Sequence, residues 1–233
     1  MKRKILTFGL CAALLIGCNN MQKGAGIGAG GGAALGAVVG ALFNGGSGAL
    51  VGAAIGTAVG AGAGALIGKK MDKVKAQAEQ VKNAQVETVT DANGLQAVKV
   101  SFDSGLLFAT SSAELNTTVK QSLNDFANVV SQNQDCDIQI FGHTDNTGWK
   151  NKSAAESEKL NLELSQKRAQ SVANYLTSHN VPYSILKGVQ GMGQTSPIAD
   201  NSTADGRQQN RRVEVYMYAS QKMIDQANNG TLQ

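Results

Sequence analysis

Cysteine is scarce in this 233-residue chain, and its positions leave no pair to join. Cys11 falls inside the apolar run from Ile5 to Ile16 and Cys18 just past its end, so only Cys136 stands in the body of the chain. With Cys11 lost with the leader, and Cys18 occupied by the lipid that the motif ending there implies, no intramolecular disulfide is available. Cys136, between Asp135 and Asp137 at the start of a predicted strand, reads as a structural residue and not a reactive one. Histidine is scarcer still. His143 and His179 are the only two, so a metal site would lack ligands. An excess of one charge is missing as well. The 21 basic residues include Lys2, Arg3 and Lys4 of the leader; without those three, 18 face 17 acidic residues. A nucleic-acid partner calls for a basic domain, and that class is set aside.

What is present begins with Lys2-Arg3-Lys4, a short apolar run and small residues at its end, the layout of a secretory signal. About a dozen apolar residues are too few for a bilayer, which needs roughly 20. The ending Leu15-Ile-Gly-Cys18 resembles the bacterial lipobox, in which the cysteine is lipidated and becomes the first mature residue. Asn19 in place of Asp resembles the outer-membrane sorting pattern. Residues 1–17 are thus expected to be the signal and 18–23 the lipidated N-terminus.

Residues 24–68 carry no charge. Gly24, Gly28, Gly32, Gly36 and Gly40 recur every four residues, and the period restarts at Gly48 and runs to Gly68. That spacing draws a stripe along one side of a helix, a device by which apolar helices approach closely in lipid. Glycine costs about 1 kcal/mol relative to alanine inside a helix in water, so lipid or close helix contact must supply the stabilisation. The segment is similar to the glycine zippers of some envelope lipoproteins and is read as a helical hairpin. Its matches to dinucleotide and phosphate-loop patterns (Gly26–Gly31, Gly64–Lys69) are products of composition.

Residues 69–84 turn polar, with Val74, Ala78 and Val81 at helical spacing, and read as a linker helix that lifts the next domain off the membrane. From Gln85 the pattern is that of an α/β fold. Val86–Thr90 and Leu95–Phe102 flank Asp91-Ala-Asn-Gly94, a hairpin signal. Gly105–Phe108 predicts a short strand. Val119, Leu123, Phe126, Ala127 and Val130 predict a helix capped by Asn116. Ile138 and Ile140 mark a strand leading into the Gly142 loop. A long helix follows to about His179, with Leu164, Ala169, Val172, Ala173 and Leu176 on one face. Ile185–Val189 and Arg212–Tyr218 complete the sheet, Val213, Val215 and Met217 facing inward and Arg212, Glu214 and Tyr216 outward. Strands alternating with amphipathic helices predict a two-layer α/β sandwich over residues 85–218, with a loosely ordered polar tail at 219–233.

The chemistry concentrates in Phe141-Gly-His-Thr-Asp-Asn-Thr-Gly148 and Asn161-x-x-Leu-Ser-x-x-Arg-Ala169. Asp145 on a tight loop and Arg168 on a helix suit a ligand bearing both an ammonium and a carboxylate. Together with Gly206-Arg-Gln-Gln-Asn-Arg-Arg-Val-Glu214, these runs resemble the OmpA-like peptidoglycan-binding family. The resemblance implies that Asp145 takes the ammonium of diaminopimelate in the peptidoglycan stem peptide. Arg168 would take the adjoining carboxylate through two parallel hydrogen bonds, which Lys cannot copy. Thr144, Asn161, Leu164 and Ser165 line the same region by resemblance. Asn210 and Arg211 read equally well as structural. Two departures stand out: residues 149–160 insert extra chain between loop and helix, as an extension or a flap, and Ala109 follows Phe108 where the family often has Asp or Asn.

The expected protein is a non-enzymatic binder without cofactor, anchored by Cys18 in the outer membrane with its C-terminal domain in the periplasm and on peptidoglycan. The competing expectation makes the glycine hairpin (Gly24–Gly68) primary, as a membrane homo-oligomer, scaffold or pore.

Overall fold

Hydrophobic spacing, caps and turns account for each element of the computed structural model, which describes residues 59–90 and 95–233. The signal, Cys18, residues 24–58 of the glycine hairpin and the Asp91–Gly94 turn lie outside the described residues. Helix α1 (Ala61–Ala78) precedes strands β1 (Ala84–Thr90) and β2 (Gln96–Asp103). Next come a one-turn helix α2 (Ser104–Leu107), helix α3 (Lys120–Gln132) and strand β3 (Cys136–Gly142). The 25-residue helix α4 (Ala154–Ser178), strand β4 (Leu186–Gly191), helix α5 (Ala204–Asn210), strand β5 (Arg212–Ala219) and helix α6 (Gln221–Asn228) complete the chain.

The five strands run in the order β1-β2-β5-β3-β4. Only β3 and β4 are parallel; the other neighbours are antiparallel. The last strand therefore inserts into the middle of the sheet, and its register sets Val98, Val100 and Phe102 of β2 beside Met217, Val215 and Val213. On the far side Ile138 and Ile140 pair with Met217 and Val215. All of these are buried and make one core face. Helices cover that face: Phe126 of α3 meets the Phe102 ring edge-on at 5.4 Å, and Met71 Sδ of α1 lies 3.9 Å from Cys136 Sγ. The two-layer α/β arrangement is the expected one.

Five local expectations need correction. The polar linker at 69–84 is no spacer: α1 runs from Ala61 to Ala78 and buries Ile67, Met71, Val74 and Ala78 in the core, against β1, β2 and α6. Its polar residues are simply the exposed face of a docked amphipathic helix. Gly105–Phe108 is not a strand, because the Asp103 carboxylate accepts from Gly105 N and starts a helical turn at Ser104. Asn116 does not cap α3; its side chain donates to Leu106 O, and a 3-10 turn at Thr117–Val119 leads into the helix.

The tail after Ala219 is a helix. Ser220 caps it through Met223 N, and Met223, Ile224 and Ala227 bury against the core. Finally, Arg212, Glu214 and Tyr216 do not face out into solvent. They occupy the second face of the sheet, yet each is under 5% exposed: Arg212 reaches Ser196 O and Asn210 O in the chain between β4 and β5, and the Phe141 ring packs edge-on against Tyr216. Arg212 Nε donates to Glu214 Oε1 at 2.7 Å and Tyr216 Oη to Glu214 Oε2 at 3.0 Å. Burial opposes the charge of Glu214, but the bonds from His143 and Arg212 outweigh it and hold the carboxyl at about 2.

Candidate binding cleft

Two glycines let the parallel strands tuck under α4. A Cβ at Gly142 would stand 2.2 Å from Ser165 O, and one at Gly191 would stand 2.3 Å from Gln166 N. The helix thereby sits directly over the ends of β3 and β4, and its side chains reach the loop that leaves β3. That loop is pinned by backbone bonds from His143 N to Arg212 O and from Thr144 N to Gly193 O, at 2.9 and 2.8 Å. Asp145 then closes a turn on itself, its Oδ1 accepting from Thr147 N at 2.9 Å.

Asn161 of α4 locks the rest of the loop. Its amide donates to Thr147 O at 3.2 Å and Gln194 Oε1 at 3.1 Å, and its oxygen accepts from Trp149 Nε1 at 2.8 Å. Of the residues inserted at 149–160, Trp149 and Lys150 border the cleft, while those from Ala154 onward lengthen the helix. Ser153 and Glu156 make a reciprocal capping box at its start, and Ser157 Oγ accepts from Trp149 N at 3.0 Å. Trp149 is thus drawn to the rim of the cleft.

Arg168, about one turn along the helix from Leu164 and on the same face, is only 4% exposed. Its Nε donates to Ser112 O at 2.9 Å and its Nη2 to Ala109 O at 3.4 Å, with the guanidinium 5.2 Å from the Phe108 ring centre. Burial and then Arg211 draw its pKa down while Asp145 opposes them; a guanidinium remains charged regardless. Asp145 is itself buried, yet Arg211 and Thr147 outweigh that burial and hold its carboxyl below the usual range. The direct ion partner of Asp145 is Arg211, whose Nη1 bonds Oδ2, and not Arg168.

A cleft of about 760 Å³ gathers these groups, with Phe108, Trp149 and Leu164 as apolar walls and Asp145, Arg168 and Arg211 as charges. Thr144 and Asn161 line it too. Ser165 does not. Its hydroxyl bridges Leu162 O and Gly193 N at 2.8 Å each, so it fastens the helix to the loop after β4. Asn210 is fully buried and holds Ile198 N and Ala199 N, a structural part. His143 turns away from the cleft toward Glu214 Oε2, 3.4 Å off, where burial pushes its pKa down. Arg211, Trp149 and Ser104 are the lining residues that motif reasoning undervalued. The adjacent Arg211-Arg212 pair was the available signal, since on alternating faces of a strand start only one can join the β5 network.

Residues 107–211 match the OmpA family model, and residues 1–72 match the YMGG-like Gly-zipper model. The Escherichia coli protein named "Probable lipoprotein YiaD" is 37% identical over 116 residues, 50% of this chain and 49% of its own. The "Peptidoglycan-binding protein ArfA" of Mycobacterium tuberculosis is 37% identical over 110 residues, 47% of this chain and 31% of its own. The "Outer-membrane lipoprotein YfiB" of Pseudomonas aeruginosa is 33% identical over 116 residues, 50% of this chain and 64% of its own. The chain thus spans about a third to two thirds of the length of these relatives. Among solved structures, the cell wall anchor of the T6SS from Pseudomonas aeruginosa matches with a TM-score of 0.51 and 26% identity. That match covers 64% of this chain and 97% of the anchor. The matched domain family is one of binding proteins and not of enzymes.

Proposed function

We propose, from the premise that residues 107–211 form an OmpA-family domain, that this chain ties the outer membrane to the cell wall by binding the diaminopimelate stem of peptidoglycan. The observation that carries this reading is that Asp145 and Arg168 line a single cleft. Asp145 takes the side-chain ammonium, and Arg168 takes the neighbouring carboxylate with its guanidinium fork. Thr144 and Leu164 border the ligand, while Asn161 and Ser165 act by holding the loop. Lipid on Cys18 holds the chain in the membrane, with the C-terminal domain in the periplasm.

Hydrogen bonds to charged groups contribute about 1.5–3 kcal/mol each, so two anchors give roughly micromolar-to-millimolar affinity. That suffices for a tethered domain facing a polymer. The test is co-sedimentation of the full chain, in detergent, with purified peptidoglycan. Asp145→Ala and Arg168→Ala should each weaken it by roughly 10- to 100-fold. Retention of wall binding in both variants would refute the reading. The match of residues 1–72 to a glycine-zipper model favours a second role: self-association in the membrane, read out as oligomers or ion conduction in bilayers.

A further inference from the structure

The proposed ammonium site is not empty of cations before ligand arrives. Asp145 Oδ2 already holds Arg211, whose side chain is 35% exposed, against 8% for that of Asp145. One end of this ion pair is therefore fixed in the loop, and the other is on a side chain with room to move. Arg168 meets no carboxylate among the hydrogen bonds and ion pairs of the described residues; its bonds go to backbone carbonyls of Ser112 and Ala109. Of the charged residues lining the cleft, Lys150, Arg168 and Arg211 are cations and Asp145 is the one anion. The cleft thus carries an excess of two positive charges. A ligand offering one ammonium and one carboxylate leaves that excess unchanged.

Two hydroxyls add to the picture. Ser104 Oγ and Thr144 Oγ1 are buried and have no hydrogen-bond partner among the described residues, and both residues line the cleft. Both residues are tied to the Arg211 pair: Ser104 N donates to Arg211 O at 2.9 Å, and Thr144 immediately precedes the carboxylate that Arg211 grips. Buried polar groups normally find partners, so two orphaned hydroxyls in the cleft that also holds a displaceable guanidinium mark a place for an acceptor.

We propose that Arg211 is a specificity-determining residue: the ligand's ammonium displaces it from Asp145, and it then binds a second carboxylate of the stem peptide beside the Ser104 and Thr144 hydroxyls. The cleft accordingly selects stem peptides whose carboxylates away from the ammonium are free over those in which one is amidated. This rests on the wall-binding reading above and adds a preference to it.

The experiment compares a synthetic L-Ala–γ-D-Glu–meso-diaminopimelate tripeptide with its forms carrying a single carboxamide, placed in turn at each carboxylate away from the ammonium. Full-length protein in detergent is titrated with each, using calorimetry. Wild type should bind the free acid roughly tenfold more tightly than one of the amides. Arg211→Gln should bring that ratio close to one while binding the amide at least as well as wild type, because Asp145 no longer has an internal competitor. Ser104→Ala should weaken only the free acid. Equal affinity of wild type for acid and amides would overturn the inference and leave wall binding standing. So would an equal loss of both ligands in Arg211→Gln with an unchanged melting curve. Failure of wild type to bind any of the peptides would sink both readings.

Discussion

Replacing Met71 by alanine tests whether α1 is part of the folded domain or a spacer. Met71 is fully buried, and its sulfur lies against Cys136 at the head of β3. Burial, and then Asp135, pushes the Cys136 thiol up to about 12 from an ordinary 9.0. At pH 8 this alone cuts the reactive thiolate by roughly a thousandfold, and labelling should proceed mainly through opening of the α1 contact. A Met→Ala change in a core costs about 2–5 kcal/mol, so the opened population should rise roughly 30- to 5,000-fold. The assay is the rate of modification by an aromatic disulfide reagent, in a chain with Cys11 and Cys18 changed to serine so that Cys136 alone reports. Lys73→Ala, on the exposed face of the same helix, is the control and should stay within about twofold, as surface changes rarely exceed 0.5 kcal/mol. If Met71→Ala labels no faster than Lys73→Ala, or if the parent protein labels as fast as in guanidinium, α1 is not seated on the sheet.

Other outcomes follow from the same contacts. Gly142→Ala and Gly191→Ala each force a Cβ into α4 backbone, and thermal unfolding should show at least about 1–3 kcal/mol of destabilisation. Glu214→Gln strands the buried Arg212 guanidinium and should cost about 3–5 kcal/mol in a denaturant melt at pH 7. Because the folded Glu214 carboxyl is depressed to about 2 from 4.5, its stabilisation is complete above pH 4.5 and is lost as pH falls toward 2. The gap between Glu214→Gln and parent melting temperatures should therefore narrow across that window; a constant gap would contradict the assignment. Asn161→Ala releases Trp149 Nε1 and the Thr147 carbonyl, so Trp149 emission should shift to the red and wall co-sedimentation should weaken several-fold.

The core face was legible because Val213, Val215 and Met217 alternate cleanly, and Leu123, Phe126 and Val130 repeat at helical spacing. What escaped was burial of polar residues. Arg212, Glu214 and Tyr216 alternate with the core residues as solvent-facing residues would, and only tertiary contacts, such as Arg212 with Ser196 O and Tyr216 with Phe141, bury them. The Asp145–Arg211 pair was hidden for the same reason, its partners being 66 residues apart. Some misses were legible after all. Ser153 and Glu156 have the capping-box spacing that starts α4, and Met71 and Ile67 extend the Val74, Ala78 stripe into the glycine-rich arm. Met223, Ile224 and Ala227 likewise have helical spacing behind a capping serine.

The clasp between α1 and α6 bears on how force would travel through the molecule. Gly60 N is held by Asn228 Oδ1 at 3.1 Å, so the turn where the glycine-rich arm enters the domain is stitched to the C-terminal helix. On the proposed placement, a tug between bilayer and glycan net would meet no elastic tether along 69–84. Tension reaching Gly60 would load the folded sheet directly, with residues 60–84 paying out no length of their own.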